Sequence, residues 1–347
     1  MKYLLIDGNN LAIRNAFTHQ GMQNTLGMPS GFHYGFFQSL ISLKKDFHEH
    51  QMLIAWDSSS KRRKTESKVA VEAGLIKSAY KDNRKKDKDE TPIALQEFFD
   101  HGYMLQQAIG QTGIPQILVE GFEADDVIAS YVEILSADSN NEVVLVTSDK
   151  DYLQLIKENV WIWDGMKNEK IDLETFREEY NLSPQQMIDV GALMGDTGDN
   201  IFGVPGCGIK GAIKEIQKHG SWEETLAFYK NKYKDDIEKY GETSKEDFTE
   251  NVLNVKTKSG KNKYPEVSWN MPHSGLLSAL EQKLIKASKA EIMILVFEKR
   301  IELAYSLKKM DMDIPVPSIE AQPTNKNNFE EYLKFFDIKT LDYEVLF

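Results

Sequence analysis

The strongest constraint on the fold is a recurring pattern. Five short apolar segments rich in β-branched residues, "YLLID" (3–7), "MLIAWD" (52–57), "QILVE" (116–120), "VVLVTSD" (143–149) and "VWIWD" (160–164), alternate with stretches of helical periodicity. Strands that alternate with helices and are apolar nearly throughout predict an α/β fold with a doubly wound, mainly parallel sheet covered on both faces. Each segment ends in an acid or just before one: Asp7, Asp57, Glu120 leading to Glu123, Asp149 and Asp164. The carboxyl ends of parallel strands share one edge, where open α/β folds bind ligands. The expectation is an acidic crevice assembled from separate parts of the chain.

The densest acidic stretch, "VEGFEADDVIAS" (119–130), sets Glu123, Asp125 and Asp126 ahead of an apolar helical run. Acids at a helix N-terminus satisfy open N–H groups and the positive dipole end, so this stretch alone reads equally well as a cap or as a cation site. "TSDKDYLQLI" places Asp149 and Asp151 two apart, on one side of an extended backbone; an Asx turn entering the helix near Tyr152 is the alternative. Gathered in one cleft, these acids and Asp7 and Asp57 repel one another, and divalent cations are the economical compensation. An all-oxygen ligand set points to Mg²⁺ or Mn²⁺ over zinc.

The 347 residues, 41% hydrophobic and 28% charged, suffice for a sizeable core. Cys207, the single cysteine, excludes an internal disulfide framework and a cysteine-based zinc cluster. Apolar runs such as Ile292 to Phe297 are far too short for a bilayer, and the opening "MKYLLIDGNN" reaches Asp7 after four apolar residues, so a soluble cytoplasmic protein is expected, with no membrane partner. The net charge of −12 weighs against a nucleic-acid partner. Its distribution weighs the other way, because "KRRK" (Lys61, Arg62, Arg63, Lys64) and "YKDNRKKDK" (80–88) concentrate positive charge in an insertion spanning 58–111. A basic excursion beside an acidic cleft suits a phosphate-bearing polymer, although a solvated face also accounts for 61–64. Within the insertion a helix starts at "DETP", capped by Asp89 or Thr91.

Further on, "SPQQMIDVGALMGDTGDNIFGVPGCGIKGAIKEIQKHGS" (183–221) reads as helix, glycine loop and second helix. The loop carries Gly198, Gly203, Gly206 and Gly208 and feeds a helix from Ile209 or Lys210, a phosphate-binding arrangement, with Asp196 and Asp199 just before it. The expected division is a core of 1–180, a helical part of 181–312 containing 183–220, and a linker and tail of 313–347. The tail "TLDYEVLF" either docks on another protein or folds back onto the helical part.

Together "IDGNNLAIR", "AWD", "YKDNR", "EGFEADD", "TSDKD" and "GDTGDNIFGVPGCGIKGA" resemble, in order across about residues 3 to 220, the 5′ nuclease family. That family holds the flap endonucleases, the 5′-to-3′ exonuclease domains of bacterial DNA polymerases and the stand-alone phage enzymes, including the T-even phage ribonuclease H type. The resemblance implies a PIN-like core, a helical arch at 58–111 and a duplex-gripping helix-turns-helix at 183–220. It also implies that Asp7, Asp57, Glu123, Asp125, Asp126, Asp149, Asp151, Asp196 and Asp199 hold two Mg²⁺, with Mn²⁺ able to substitute, the later acids nearer the second ion. Arg14, Lys81 and Arg84 match basic residues that meet the scissile phosphate. Lys61, Arg62, Arg63, Gly203, Gly206, Gly208 and Lys210 match nucleic-acid contacts, and Tyr80 a stacking aromatic. The glycine loop often holds K⁺ in the family. The implied substrates are branched or nicked DNA and RNA/DNA duplex with a 5′ single strand, cleaved in replication and repair, and a sliding clamp is the partner suggested for the tail. Beyond residue 220 the chain is longer than the smaller phage enzymes. A PIN-like RNase needs no glycine-loop duplex grip. A haloacid-dehalogenase-like phosphatase wants an aspartate where Asn9 stands, and a silent junction binder gains nothing from nine acids.

Overall fold

The computed structural model describes residues 1–84, 91–257, 259–264 and 266–347. Lys85, Lys86 and Lys88 of the second basic cluster, and the expected cap Asp89, lie outside them. Strands β1 (Lys2–Asp7), β2 (Gln51–Trp56), β3 (Gln116–Leu118), β4 (Glu142–Val146), β5 (Val160–Asp164) and β6 (Glu169–Ile171) form one sheet in the order β3-β2-β1-β4-β5-β6. The first five are parallel, as their uniform apolar character predicts, and β6 adds an antiparallel edge. β7 (Gly195–Asp196) and β8 (Ile201–Phe202) make a separate small hairpin.

The helices are α1 (Gly8–Thr18), α2 (Gly31–Asp46), α3 (Lys61–Glu72), α4 (Ile93–Gly110), α5 (Ala124–Ser136), α6 (Leu173–Tyr180), α7 (Gln186–Met194), α8 (Ile209–His219), α9 (Trp222–Lys232), α10 (Lys234–Tyr240), α11 (Lys245–Phe248), α12 (Gly275–Glu281), α13 (Lys289–Val296), α14 (Glu298–Lys308) and α15 (Lys326–Phe335). No helix among the described residues is long and apolar enough to cross a membrane.

The chain divides into two units, each built from separated segments. The first comprises Met1–Arg62, Lys85–Glu179 and Met310–Phe347 and holds the sheet; the second comprises Arg63–Arg84 and Tyr180–Lys309 and is mainly helical. This differs from the division expected at residues 180 and 312 in two respects. Residues 63–84, grouped by sequence with the insertion, pack within the second unit. The tail is not a projecting peptide, and it packs on the first unit rather than on the helical part. Phe329, Leu333, Phe336, Ile338 and Leu346 are buried in one cluster with Leu4, Phe37 and Leu40. Phe329 meets Phe37 edge-on at 4.9 Å, and Phe336 lies 3.9 Å from the His33 ring. Apolar residues spaced along α15 bury one face, which explains why a segment that reads as linker and tail is fixed.

Candidate active site

In the first unit, Asp7 ends β1 and caps α1, its Oδ1 accepting the Asn10 N–H at 2.9 Å. Its Oδ2 accepts the Tyr152 hydroxyl at 3.1 Å, and the residue is 8% exposed. Burial and the charge of Asp57, with a contribution from Asp149, push its carboxyl up to about 8 despite the Asn10 bond. The Tyr152 phenol is held well above its ordinary value by burial and by Asp7, Asp125, Asp149 and Asp57. Four acids from four different stretches therefore act on one buried hydroxyl, the convergence expected of parallel strand ends.

The same acids also serve local backbone. Asp57 Oδ1 accepts the Ala124 N–H at 2.8 Å, the first N–H of α5, and Asp125 Oδ1 accepts that of Asp126 at 2.7 Å. Asp126 is fully buried: its Oδ2 accepts the N–H of Glu123, the α5 cap, at 3.3 Å, and its Oδ1 that of Asp311 at 2.9 Å. Asp149 Oδ1 accepts the Asp151 N–H at 2.9 Å, the Asx turn weighed for this stretch. Capping thus explains part of the acidic crowding, most completely at Asp126. Among the described residues no group of three or more histidine, cysteine, aspartate or glutamate side chains stands where it could hold a metal ion. The donor set is nonetheless all oxygen, the ligand chemistry of a hard divalent cation, so an ion here would need these side chains to close around it.

In the second unit Asp196 and Asp199 have a different environment. Asp196 Oδ1 accepts the N–H groups of Gly198 at 2.8 Å and Asp199 at 3.2 Å, while Oδ2 lies 2.9 Å from the Lys308 ammonium. Burial would raise this carboxyl, but Lys308 and the two N–H groups outweigh it and hold it below its ordinary value. Asp199 pairs with Arg84, lies 3.7 Å from Lys81 Nζ and accepts the Tyr80 hydroxyl at 3.0 Å. The Lys81 N–H donates to Asp199 O at 2.9 Å, Asn83 Nδ2 donates to Thr197 O at 2.8 Å, and Asn200 Nδ2 donates to Ala79 O at 2.6 Å. The two loops are stitched together, and Lys81 stands at the seam with a left-handed φ of 56°.

Several expected contacts are placed differently. Arg63, expected to face nucleic acid, is 1% exposed, with Nε donating to Leu307 O at 3.0 Å. Tyr80, expected to stack on a base, is 4% exposed, its hydroxyl on Asp199 and the Lys81 ammonium 4.9 Å from its ring centroid. Both are turned inward because a protein partner satisfies each polar end. Arg62 pairs with Asp311 at 3.0 Å and the exposed Lys61 with Glu120 at 3.1 Å. Arg14 is half-buried; burial lowers its pKa while Asp164 raises it. Gly203 serves close packing, since a Cβ there would lie 2.4 Å from Gly195 N. With Gly206 and Gly208 it lines a cavity of about 610 Å³ that also includes Asp196 and Cys207, and Lys210 is exposed on α8.

Sequence reasoning missed Asn9, Asn10, Tyr152 and Lys308. Asn9 Oδ1 accepts the Asp57 N–H at 3.1 Å, and Asn10 Oδ1 accepts the Ser148 N–H at 3.3 Å, so the amides after Asp7 tie β1 to the ends of its neighbours. A paired amide directly after a strand-end acid was the available signal. Nothing local marks Tyr152 or Lys308.

Residues 2–181 match the 5′-3′ exonuclease N-terminal resolvase-like domain, and residues 182–259 match the 5′-3′ exonuclease C-terminal SAM fold. The second match extends past residue 220, where the sequence resemblance fades to helical character. The chain is 32% identical to a 5′-3′ exonuclease of Buchnera aphidicola subsp. Schizaphis graminum, over 62% of this chain and 69% of that one. It is also 32% identical to a 5′-3′ exonuclease of Bacillus subtilis (strain 168), over 65% and 73%. Among solved structures it resembles the T5 5′-exonuclease with bound divalent zinc ions (TM-score 0.53, 21% identity, 89% of this chain and 100% of that one). It also resembles the catalytic core of Rad2 in complex with DNA substrate (TM-score 0.54, 16% identity, 99% and 92%), and these two likenesses concern the fold. A mainly parallel sheet, acids at its strand ends and matched exonuclease domains over residues 2–259 agree: the chain belongs to the 5′-3′ exonuclease family.

Proposed function

We propose that this 5′ nuclease hydrolyses phosphodiesters at the 5′ ends of nicked or branched DNA and RNA/DNA duplexes with two Mg²⁺ ions, Mn²⁺ substituting. The observation that carries this reading is Asp7, fixed by Asn10 and Tyr152 at a strand end while burial and Asp57 suppress its ionisation. Bound by these acids, such ions would supply an activated water and a stabilised leaving oxygen. The chain's own residues do the rest. Asp7, Asp57, Glu123, Asp125, Asp149 and Asp151 are the proposed first-unit ligands, and Asp126 chiefly holds the α5 terminus. Asp196 and Asp199 are the proposed later ligands. Lys81 and Arg84 offset charge developing on the phosphate, and Arg14 contacts it. Lys61, Lys210 and the loop of Gly206 and Gly208 meet the polymer backbone, and that loop would hold K⁺.

The cytoplasm is the proposed place of this activity, supported by the likeness to 5′-3′ exonucleases of bacteria. A sliding clamp that takes residues 343–347 has to draw Leu346 from its buried seat, so nucleic acid is the better supported partner. End-labelled flap, nicked and single-stranded substrates, incubated with Mg²⁺ or with chelator, test the proposal. Cuts near the 5′ junction that vanish in chelator are expected. Cleavage that persists in chelator, or that starts at 3′ ends, overturns it.

A further inference from the structure

Lys308 is a long cation in an unusual place. Its residue is 6% exposed, at the C-terminal end of α14 and beyond the matched exonuclease domains, which end at residue 259. Its stem lies against α7 at Gly191, where a Cβ would stand 3.1 Å from Lys308 Cε and 3.3 Å from its Cγ. The bare glycine surface leaves room for the chain of methylenes, which delivers the ammonium to Asp196 Oδ2 at 2.9 Å. On the other oxygen of Asp196 sit the N–H groups of Gly198 and Asp199. This carboxylate is therefore surrounded by donors and a full positive charge from its own unit. Lys and Arg are rarely buried this deeply without a defined partner, and Asp196 is one for Lys308.

We propose that Lys308 is a built-in cation for Asp196, so that a divalent ion recruited by Asp196 must displace the ammonium. The inference rests on the proposed role of Asp196 as a ligand. It makes Lys308 a positioning residue for the hydrolysis: the carboxylate is charge-balanced and held in place before any ion arrives. An ion at Asp196 then binds more weakly than the carboxylate alone would hold it, because the ammonium has first to leave Oδ2.

Calorimetric titration of Mn²⁺ into the full, metal-free chain tests this without reference to turnover. Wild type is expected to bind Mn²⁺, and the signal lost on Asp196→Asn marks the class of site to which Asp196 contributes. Lys308→Met and Lys308→Gln should tighten that class at least about fivefold, while Lys308→Arg, which keeps the charge, should return the wild-type isotherm. An isotherm unchanged or weakened in both neutral variants, with melting showing that they are folded, overturns the proposal and leaves Lys308 a structural ion pair. Should both fail to fold, the Lys308 Nζ resonance of the wild-type chain decides: it must shift as Mg²⁺ fills that class, and an unmoved resonance overturns the proposal. Asp7→Asn separates the two readings, because loss of Mn²⁺ binding there is required by the nuclease assignment alone. A wild-type chain that binds no Mn²⁺ overturns both.

Discussion

Asp7 and Asp196 are held by opposite electrostatic influences. On Asp7 burial and the charges of Asp57 and Asp149 act against the bonds from Asn10 and Tyr152, and the carboxyl is pushed up to about 8. Around Asp196 and Asp199 the neighbours are Lys308, Arg84 and Lys81, and Asp196 is held below its ordinary range. The same residue type, placed by the same family pattern, is thus disfavoured as a carboxylate at position 7 and favoured as one at position 196. The difference teaches that an aspartate at a family position does not by itself announce a demand for metal. That demand depends on what else the fold has brought within a few ångströms.

Asp7→Asn gives the largest expected effect and the sharpest test of this contrast. Cleavage should fall on the order of a thousandfold, about 4 kcal/mol of transition-state stabilisation. In chelator near neutral pH the same variant should melt higher than wild type, because the neutral amide removes the cost of taking up a proton on folding. A lower melting temperature would break the contrast. The corresponding change in the other unit, Asp196→Asn, should destabilise instead, by about 1–3 kcal/mol. That is below the ~3–5 kcal/mol of a fully buried pair because the Asp196 side chain is 31% exposed; denaturant unfolding without metal measures it. Opposite signs for these two isosteric changes are what the structure demands.

Tyr152→Phe probes the neutral partner of Asp7 and should have a smaller effect. Loss of the hydroxyl leaves Asp7 Oδ2 without its donor while the ring still packs, so turnover at saturating Mg²⁺ should fall roughly tenfold, the scale of an outer hydrogen bond to a metal ligand. Binding of nicked duplex should be unchanged. A variant indistinguishable from wild type in turnover would reduce Tyr152 to packing.

The smallest expected effect is a slope. The folded-state pKa of Asp7 is raised, so the folded chain binds the extra proton between about pH 4 and pH 8. The contribution of this group to stability is present below pH 4 and lost as the pH rises toward 8. Melting in chelator across that range should show the decline, and Mg²⁺ or Asp7→Asn should flatten it. The slope is shared with other titrating groups, so the difference between variant and wild type is the measurement that counts.

Much of this was legible in sequence, for definite reasons. The five parallel strands announced themselves because strands buried on both faces carry unbroken apolar runs, and their terminal acids marked the sheet edge. The strand β6 did not, because "EKI" at a sheet edge has no apolar signature. Arg63 and Tyr80 sit in basic motifs that look solvent-facing, and only long-range partners, Leu307 and Asp199, reveal that they are inside. The partnership of Lys308 with Asp196 spans 112 residues and leaves no local trace. What periodicity encodes was readable; what tertiary pairing decides was not.

The burial of residues 329–346 against α2 has a consequence for how the molecule is made. A ribosome has released β1 to β6 long before it reaches α15, and the apolar faces of Phe37 and Leu40 stay uncovered in the interval. At about 5–20 residues per second the gap lasts on the order of ten to thirty seconds. The sheet's early partners are therefore complete in order of synthesis but not in coverage. A nascent chain stalled between residues 180 and 320 is the species with most cause to meet a chaperone.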